Sequence, residues 1–186
     1  MCDRCTQLTS LPKLPAGLKD LACELCNQLS SLPELPYGLE QLYCYGCNKL
    51  TSLPELPYSL TYIDCSHCTK LCSLVELPTG LTYLGLSNTQ LKSLLVLHSG
   101  LTRLLCDGCT QLASLPELPE GLTRFWCNGC VHLSSDELIV LNQINLSENM
   151  ERERDEFLSF CIGQKDSKSI VYDLPSDVFS LIISFH

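Results

Sequence analysis

Positive charge is scarce in this chain: 12 lysines and arginines stand against 21 aspartates and glutamates, for a formal net charge of −9. Sequence-independent binding to nucleic acid or to an anionic membrane surface draws on clustered positive charge, so neither is expected. Long apolar runs are missing as well. No stretch approaches the roughly 20 apolar residues that span a bilayer, and the start, "MCDRCTQLTS", has neither the basic nor the apolar region of a secretory leader. The expected compartment is therefore the reducing cytoplasm. The usual catalytic constellations are also lacking. His67, His98, His132 and His186 fall in no H-E-x-x-H cluster, and the chain has neither a phosphate-binding glycine loop nor a G-x-S-x-G elbow. A non-enzyme without cofactor is expected, acting as a monomer.

Cysteine, by contrast, is abundant, with fourteen in 186 residues, and it is periodic. Aligned on itself, the chain shows one column of Leu18, Leu39, Leu60, Leu81, Leu101 and Leu122. Three residues on stand Leu21, Leu42, Ile63, Leu84, Leu104 and Phe125. Two further on come Cys23, Cys44, Cys65, Leu86, Cys106 and Cys127, then Cys26, Cys47, Cys68, Thr89, Cys109 and Cys130, and finally Leu29, Leu50, Leu71, Leu91, Leu112 and Leu133. The step is 21 residues, shortened once by a deletion between Thr89 and Leu91. Leu-x-Cys, as in Leu42-Tyr43-Cys44, alternates like a short strand. Proline fixes φ and disfavours helix before it, so the recurring Leu-Pro-Glu-Leu-Pro is expected to run extended, in a polyproline-like path. Gly38, Gly80, Gly100 and Gly121 mark the turn back into each strand. A single unit cannot bury its leucines; stacked neighbours complete the core.

The pattern L-x-x-L-x-(C/L)-x-x-(C/T)-x-x-L resembles the conserved segment of leucine-rich repeats, and "LPELPYGL" resembles the proline-containing (LPxLP) type seen in bacterial effectors and amoebal giant viruses. The resemblance covers about residues 1–133, as a partial first unit followed by six units of 20–21 residues. It implies an α/β-type repeat fold: a curved solenoid with short parallel strands on the concave side and extended convex segments. It also implies a protein-interaction role in a cytoplasm, including that of an infected host cell.

The cysteines admit three readings. In the unit of Leu81–Leu91 the first cysteine is replaced by Leu86 and the second by Thr89. A thiolate ligand cannot become an isobutyl group and still bind metal, whereas a core position tolerates the exchange. Reduced, buried thiols acting as small hydrophobes are therefore expected, with no metal site. A zinc-binding Cys-rich protein, with Cys₄ sites from adjacent units, is one alternative. Disulfides between rungs about 4.8 Å apart are the other, disfavoured in a reducing cytosol.

Outward strand positions form the face on which solenoids usually bind. In order they are Asp20 and Ala22, Gln41 and Tyr43, Tyr62 and Asp64, Tyr83 and Gly85, Arg103 and Leu105, then Arg124 and Trp126. Tyr, Trp and Arg anchor protein interfaces most often. The expected partner-binding residues are accordingly Tyr43, Tyr62, Asp64, Tyr83, Arg103, Arg124 and Trp126, with a solvated face of incidental cross-strand aromatics as the competing reading.

After Leu133 the period stops. Ser134 and Glu137 form a capping-box pair, and residues 148–162 carry i,i+4 charge pairs with a stripe of Phe157, Leu158, Cys161 and Ile162, so a helical C-terminal cap is expected over 134–163. Residues 164–186 read as a linker and a final helix. "DLPSDVFSLIISFH" resembles the opening of an F-box, through Leu174, Pro175, Asp177, Val178, Leu181, Ile182 and Phe185. That likeness implies a Skp-family adaptor as partner and a role in recruiting substrates to a cullin-type ubiquitin ligase. It spans about one helix of the usual three and follows the repeats instead of preceding them. An amphipathic helix packing on its own protein is the competing reading.

Overall fold

The computed structural model describes residues 4–133. The expected helical cap (134–163) and the linker with its F-box-like helix (164–186) lie outside the described residues, as does Cys2. Six three-residue strands follow one another: β1 (Asp20–Ala22), β2 (Gln41–Tyr43), β3 (Tyr62–Asp64), β4 (Tyr83–Gly85), β5 (Arg103–Leu105) and β6 (Arg124–Trp126). They form one parallel sheet in sequence order. These are the six strands the periodicity predicts, with the middle residue of each inward and buried.

Each strand is set up by a tight turn. The amide of the leucine that opens each repeat donates to the carbonyl of the residue three before it: Leu39 to Pro36 at 3.0 Å, Leu60 to Pro57 at 3.1 Å, Leu101 to His98 at 3.0 Å. Proline suits this place because its fixed φ starts the turn and the bond asks nothing of its missing N–H. The glycine within the turn is not there for a left-handed backbone. Ser59 occupies the equivalent place, its hydroxyl donating to the carbonyls of Tyr37 and Leu39.

Left-handed φ is needed instead between the two cysteine columns. Arg4, Leu25, His67 and Asn88 all adopt it with side chains, and Gly46, Gly108 and Gly129 without. This turn redirects the chain from the sheet into the core after every strand. The Leu-Pro-Glu-Leu-Pro segments carry neither helix nor strand, and Leu32, Leu35, Leu53 and Leu56 on them are buried.

The register is uniform. Leu21, Leu42, Ile63, Leu84, Leu104 and Phe125 face one another strand by strand. The deletion falls outside the strands, so Tyr83 pairs with Arg103 just as Tyr62 pairs with Tyr83, and the same face stays inward. Leu42, Ile63, Leu84 and Leu104 have no exposed surface. Burying such a side chain fully is worth about 1.5–3 kcal/mol, and the columns repeat it at every rung.

The cysteine columns divide by role. The first is a buried series that accepts Leu86, with its thiols in contact mainly with one another and Cys23 donating to the Tyr43 carbonyl at 3.5 Å. The second is different. Its thiols donate to the carbonyl of the first-column residue one rung back: Cys47 to Cys23 at 3.0 Å, Cys68 to Cys44, Cys109 to Leu86 and Cys130 to Cys106 at 3.1 Å. Thr89 keeps a donor in this column, bonding the Leu86 carbonyl at 2.8 Å and meeting the Cys109 sulfur at 3.3 Å. Both substitutions in the Leu81–Leu91 unit therefore make sense, one filling the same buried place and the other donor for donor. None of the twelve described cysteines is joined in a disulfide.

Candidate protein-binding face

The outward residues form two rows across the sheet. The first runs Asp20, Gln41, Tyr62, Tyr83, Arg103, Arg124, and the second runs Ala22, Tyr43, Asp64, Gly85, Leu105, Trp126. Neighbouring rungs are close enough for aromatic rings to meet. Tyr62 and Tyr83 stack with centroids 4.2 Å apart and planes 7° from parallel. Tyr43 joins diagonally from the other row, 4.8 Å from Tyr62 at 37°. The three tyrosines form a continuous ladder over β2–β4, and the Tyr43 hydroxyl donates to the Gln41 side chain. Gln41 sits at an outward position, but its sequence context does not reveal this supporting role.

The electrostatics of the face change along the sheet. Tyr43 is held above the ordinary tyrosine range by partial burial and then by the charges of Asp20, Glu24 and Asp64. Tyr62 is pushed higher, by burial and by its hydroxyl contact with Tyr83. Tyr83 is raised by burial and Asp64, against the opposing pull of the Tyr62 hydroxyl and of Arg103. The β1–β3 end is thus negative and the β5–β6 end positive, with neutral phenols between them. Glu24 contributes to the negative end from just beyond β1 and does not stand out in the sequence.

The structure brings Tyr43, Tyr62, Tyr83 and Arg103 together, and it places Arg124 and Trp126 on the adjacent strand. Arg103 and Arg124 are exposed and Trp126 is half-buried. Asp64 also makes contacts within the fold. Its carboxylate accepts the Ser66 amide at 2.9 Å, and it leans over Gly85, where a Cβ would stand 2.6 Å from the Asp64 oxygen. It therefore secures the end of β3 and fills the space above a residue without a side chain. At the rim, Tyr45 and His67 make a further ring contact at 4.9 Å. Both lie between paired cysteines, where the repeat allows variable residues, so only the fold shows that they meet.

The F-box-like residues Leu174, Pro175, Asp177, Val178, Leu181, Ile182 and Phe185 lie outside the described residues. No helix among the described residues is long and apolar enough to cross a membrane.

The chain matches no family model and no curated protein. Among solved structures it is similar to a leucine-rich repeat protein from Bacteroides ovatus, at 30% identity and a TM-score of 0.54, over 65% of this chain and 35% of that one. The present chain thus spans about a third of that protein's length. Short parallel strands in sequence order, a leucine column at each rung and this structural likeness agree: the described residues form a parallel-strand solenoid similar to that of leucine-rich repeat proteins.

Proposed function

We propose that the chain is a non-enzymatic scaffold that binds a partner protein through the outward face of its sheet, with Arg103, Arg124 and Trp126 receiving an acidic segment. The observation that supports this best is the tyrosine ladder of β2–β4 running directly into two arginines on β5 and β6. Aromatic rings offer contact area at low entropic cost, and guanidinium groups offer fixed donors to carboxylates. Leucine-rich repeats in general serve as interaction scaffolds, which agrees with this reading.

The test is a triple alanine variant at Arg103, Arg124 and Trp126, shown by circular dichroism to keep its fold, compared with wild type for partner capture and affinity. Loss of true anchors costs about 2 kcal/mol or more, roughly thirtyfold in affinity. Unchanged affinity in the folded variant would move the site elsewhere. The second reading, substrate adaptor of a cullin-type ubiquitin ligase through residues 174–186, rests on the sequence pattern alone. Binding to a purified Skp-family adaptor, lost on deleting that segment, would support it.

A further inference from the structure

At the β5–β6 end of the core, the sulfurs of Cys106, Cys127 and Cys130 all lie within 4.8 Å of one another, and all three residues are buried. Among the described residues no other group of three or more metal-ligating side chains converges in this way. Cys109 is a neighbour of the same set, its thiol in contact with that of Cys130.

We propose that Cys106, Cys127 and Cys130, completed by Cys109, bind one soft divalent cation of the zinc class between the last two described repeats. Thiolates select such ions, and four of them in a tetrahedron make a closed structural site. A zinc–sulfur bond of about 2.3 Å puts tetrahedral sulfurs about 3.8 Å apart, so the sulfurs of Cys106, Cys127 and Cys130 need only draw inward by about 1 Å or less, and Cys109 joins them from its contact with Cys130. The sequence agrees: Cys106-x-x-Cys109 and Cys127-x-x-Cys130 are separated by 17 residues, a spacing in the range of known zinc sites.

Spacing alone does not single out this pair, since it recurs at Cys23–Cys47 and Cys44–Cys68. Geometry does. In the earlier rungs Cys23 approaches Cys44 to 3.5 Å and also meets Cys47, and Cys44 also meets Cys65, but among the described residues no three of these sulfurs lie within 4.8 Å of one another. The substitutions at Leu86 and Thr89 then separate the final pair from the rest of the ladder, which favours one ion per chain. Cys127 and Cys130 also keep a little exposure, 5% and 4%, where the equivalent Cys44, Cys47, Cys65 and Cys68 have none. An ion can therefore reach this end of the ladder more readily. The proposal departs from the expectation that no cysteine is a ligand. The Leu81–Leu91 unit argues against metal at its own rung and leaves the complete pair beyond it untouched. On binding, each participating thiol becomes a thiolate and releases its proton to solvent, with no change in oxidation state.

The experiment uses the full chain, reduced and metal-free under anaerobic conditions, and titrates it with Co(II) and then Zn(II). The expected result is a thiolate-to-cobalt charge-transfer absorption that saturates at one ion per chain and is abolished by zinc. Thiol alkylation mapped by mass spectrometry supplies a readout that needs no variant. Zinc is expected to protect Cys106, Cys109, Cys127 and Cys130 and to leave the labelling of Cys23, Cys44 and Cys65 unchanged. A C127S/C130S variant should lose the absorption, and a C23S/C44S variant should keep it. No absorption in the folded wild type would overturn the proposal. So would protection spread evenly over all buried cysteines, or absorption that survives in C127S/C130S.

Discussion

Gly46 sits at φ 70° between Cys44 and Cys47, and a Cβ there would lie 2.7 Å from the Cδ2 of Leu25 on the preceding rung. Gly129 occupies the same place two strands from Gly85, at φ 74°, but its nearest neighbours are backbone atoms of Gly108 at 3.7 Å. Both glycines avoid the left-handed penalty of roughly 1–2 kcal/mol that a Cβ incurs. Only Gly46 also has to leave room for a side chain. Gly46→Ala should therefore cost about 1–2 kcal/mol from the backbone, plus the displacement of Leu25. Gly129→Asn should cost a few tenths, because Asn tolerates this conformation and Asn88 already adopts it in the same column. Urea unfolding of the two variants checks this; equal midpoints would show that the Leu25 contact does not matter. The need for φ > 0 at this column is hidden in the sequence, since Leu25 and His67 carry it without announcing it. The turn glycines that the sequence does advertise adopt ordinary φ.

The repeated element couples sheet and thiols. Contact with Cys23 and Cys65, together with burial, holds the Cys44 thiol well above its ordinary range. Contact with Cys23 does the same for Cys47, and contact with Cys65 for Cys68, each reinforced by burial. Cys65, held between the thiols of Cys44 and Cys68, moves the other way, to about 6. In the unfolded chain every thiol ionises near about pH 8.5. The raised thiols stay protonated in the fold after their unfolded counterparts have lost their protons, so they contribute stability below about pH 8.5 that is lost as pH rises. The gain from Cys65 is complete by that pH and does not oppose the loss. Under strong reductant, the urea midpoint should rise from about pH 7 to 8, as the contribution of Cys65 builds up, and fall clearly by about pH 9.5. A level midpoint across that range would mean that the thiols are not sealed in the core. The alternation of each strand was readable from Leu-x-Cys. The split of the two cysteine columns into buried filler and donor to the rung behind was not, because the carbonyls that Cys47 and Cys68 reach belong to residues 24 positions earlier.

In a stack whose units contact only their neighbours, stability follows the completeness of each interface. Leu8, Leu11, Leu14 and Leu18 are only partly buried, whereas Leu60, Ile63, Leu71 and Leu84 have no exposed surface. Amide exchange should therefore be faster around Leu18–Ala22 than around Leu60–Leu86, most visibly at Leu21 against Ile63. Uniform protection from residue 8 to residue 125 would contradict this gradient. The same nearest-neighbour logic makes the binding face a property of the assembled sheet, since its tyrosine ladder is shared among three strands.

The sequence by itself determined the period, the six strands, the inward and outward residues of each, and the turns between them. Each of these answers a local demand, repeated at intervals of 20–21 residues, so the pattern can be read along one dimension. The tertiary structure alone decided which side chains meet across rungs. It set Tyr43 diagonally against Tyr62, placed Asp64 in the space over Gly85, and drew three sulfurs mutually together at one end while linking those of the earlier rungs in a chain of pairwise contacts. Adjacent rungs are about 4.8 Å apart, a spacing that allows several rotamers and several partners for each side chain. The choice among them depends on neighbours far away in sequence, and only the folded stack supplies those.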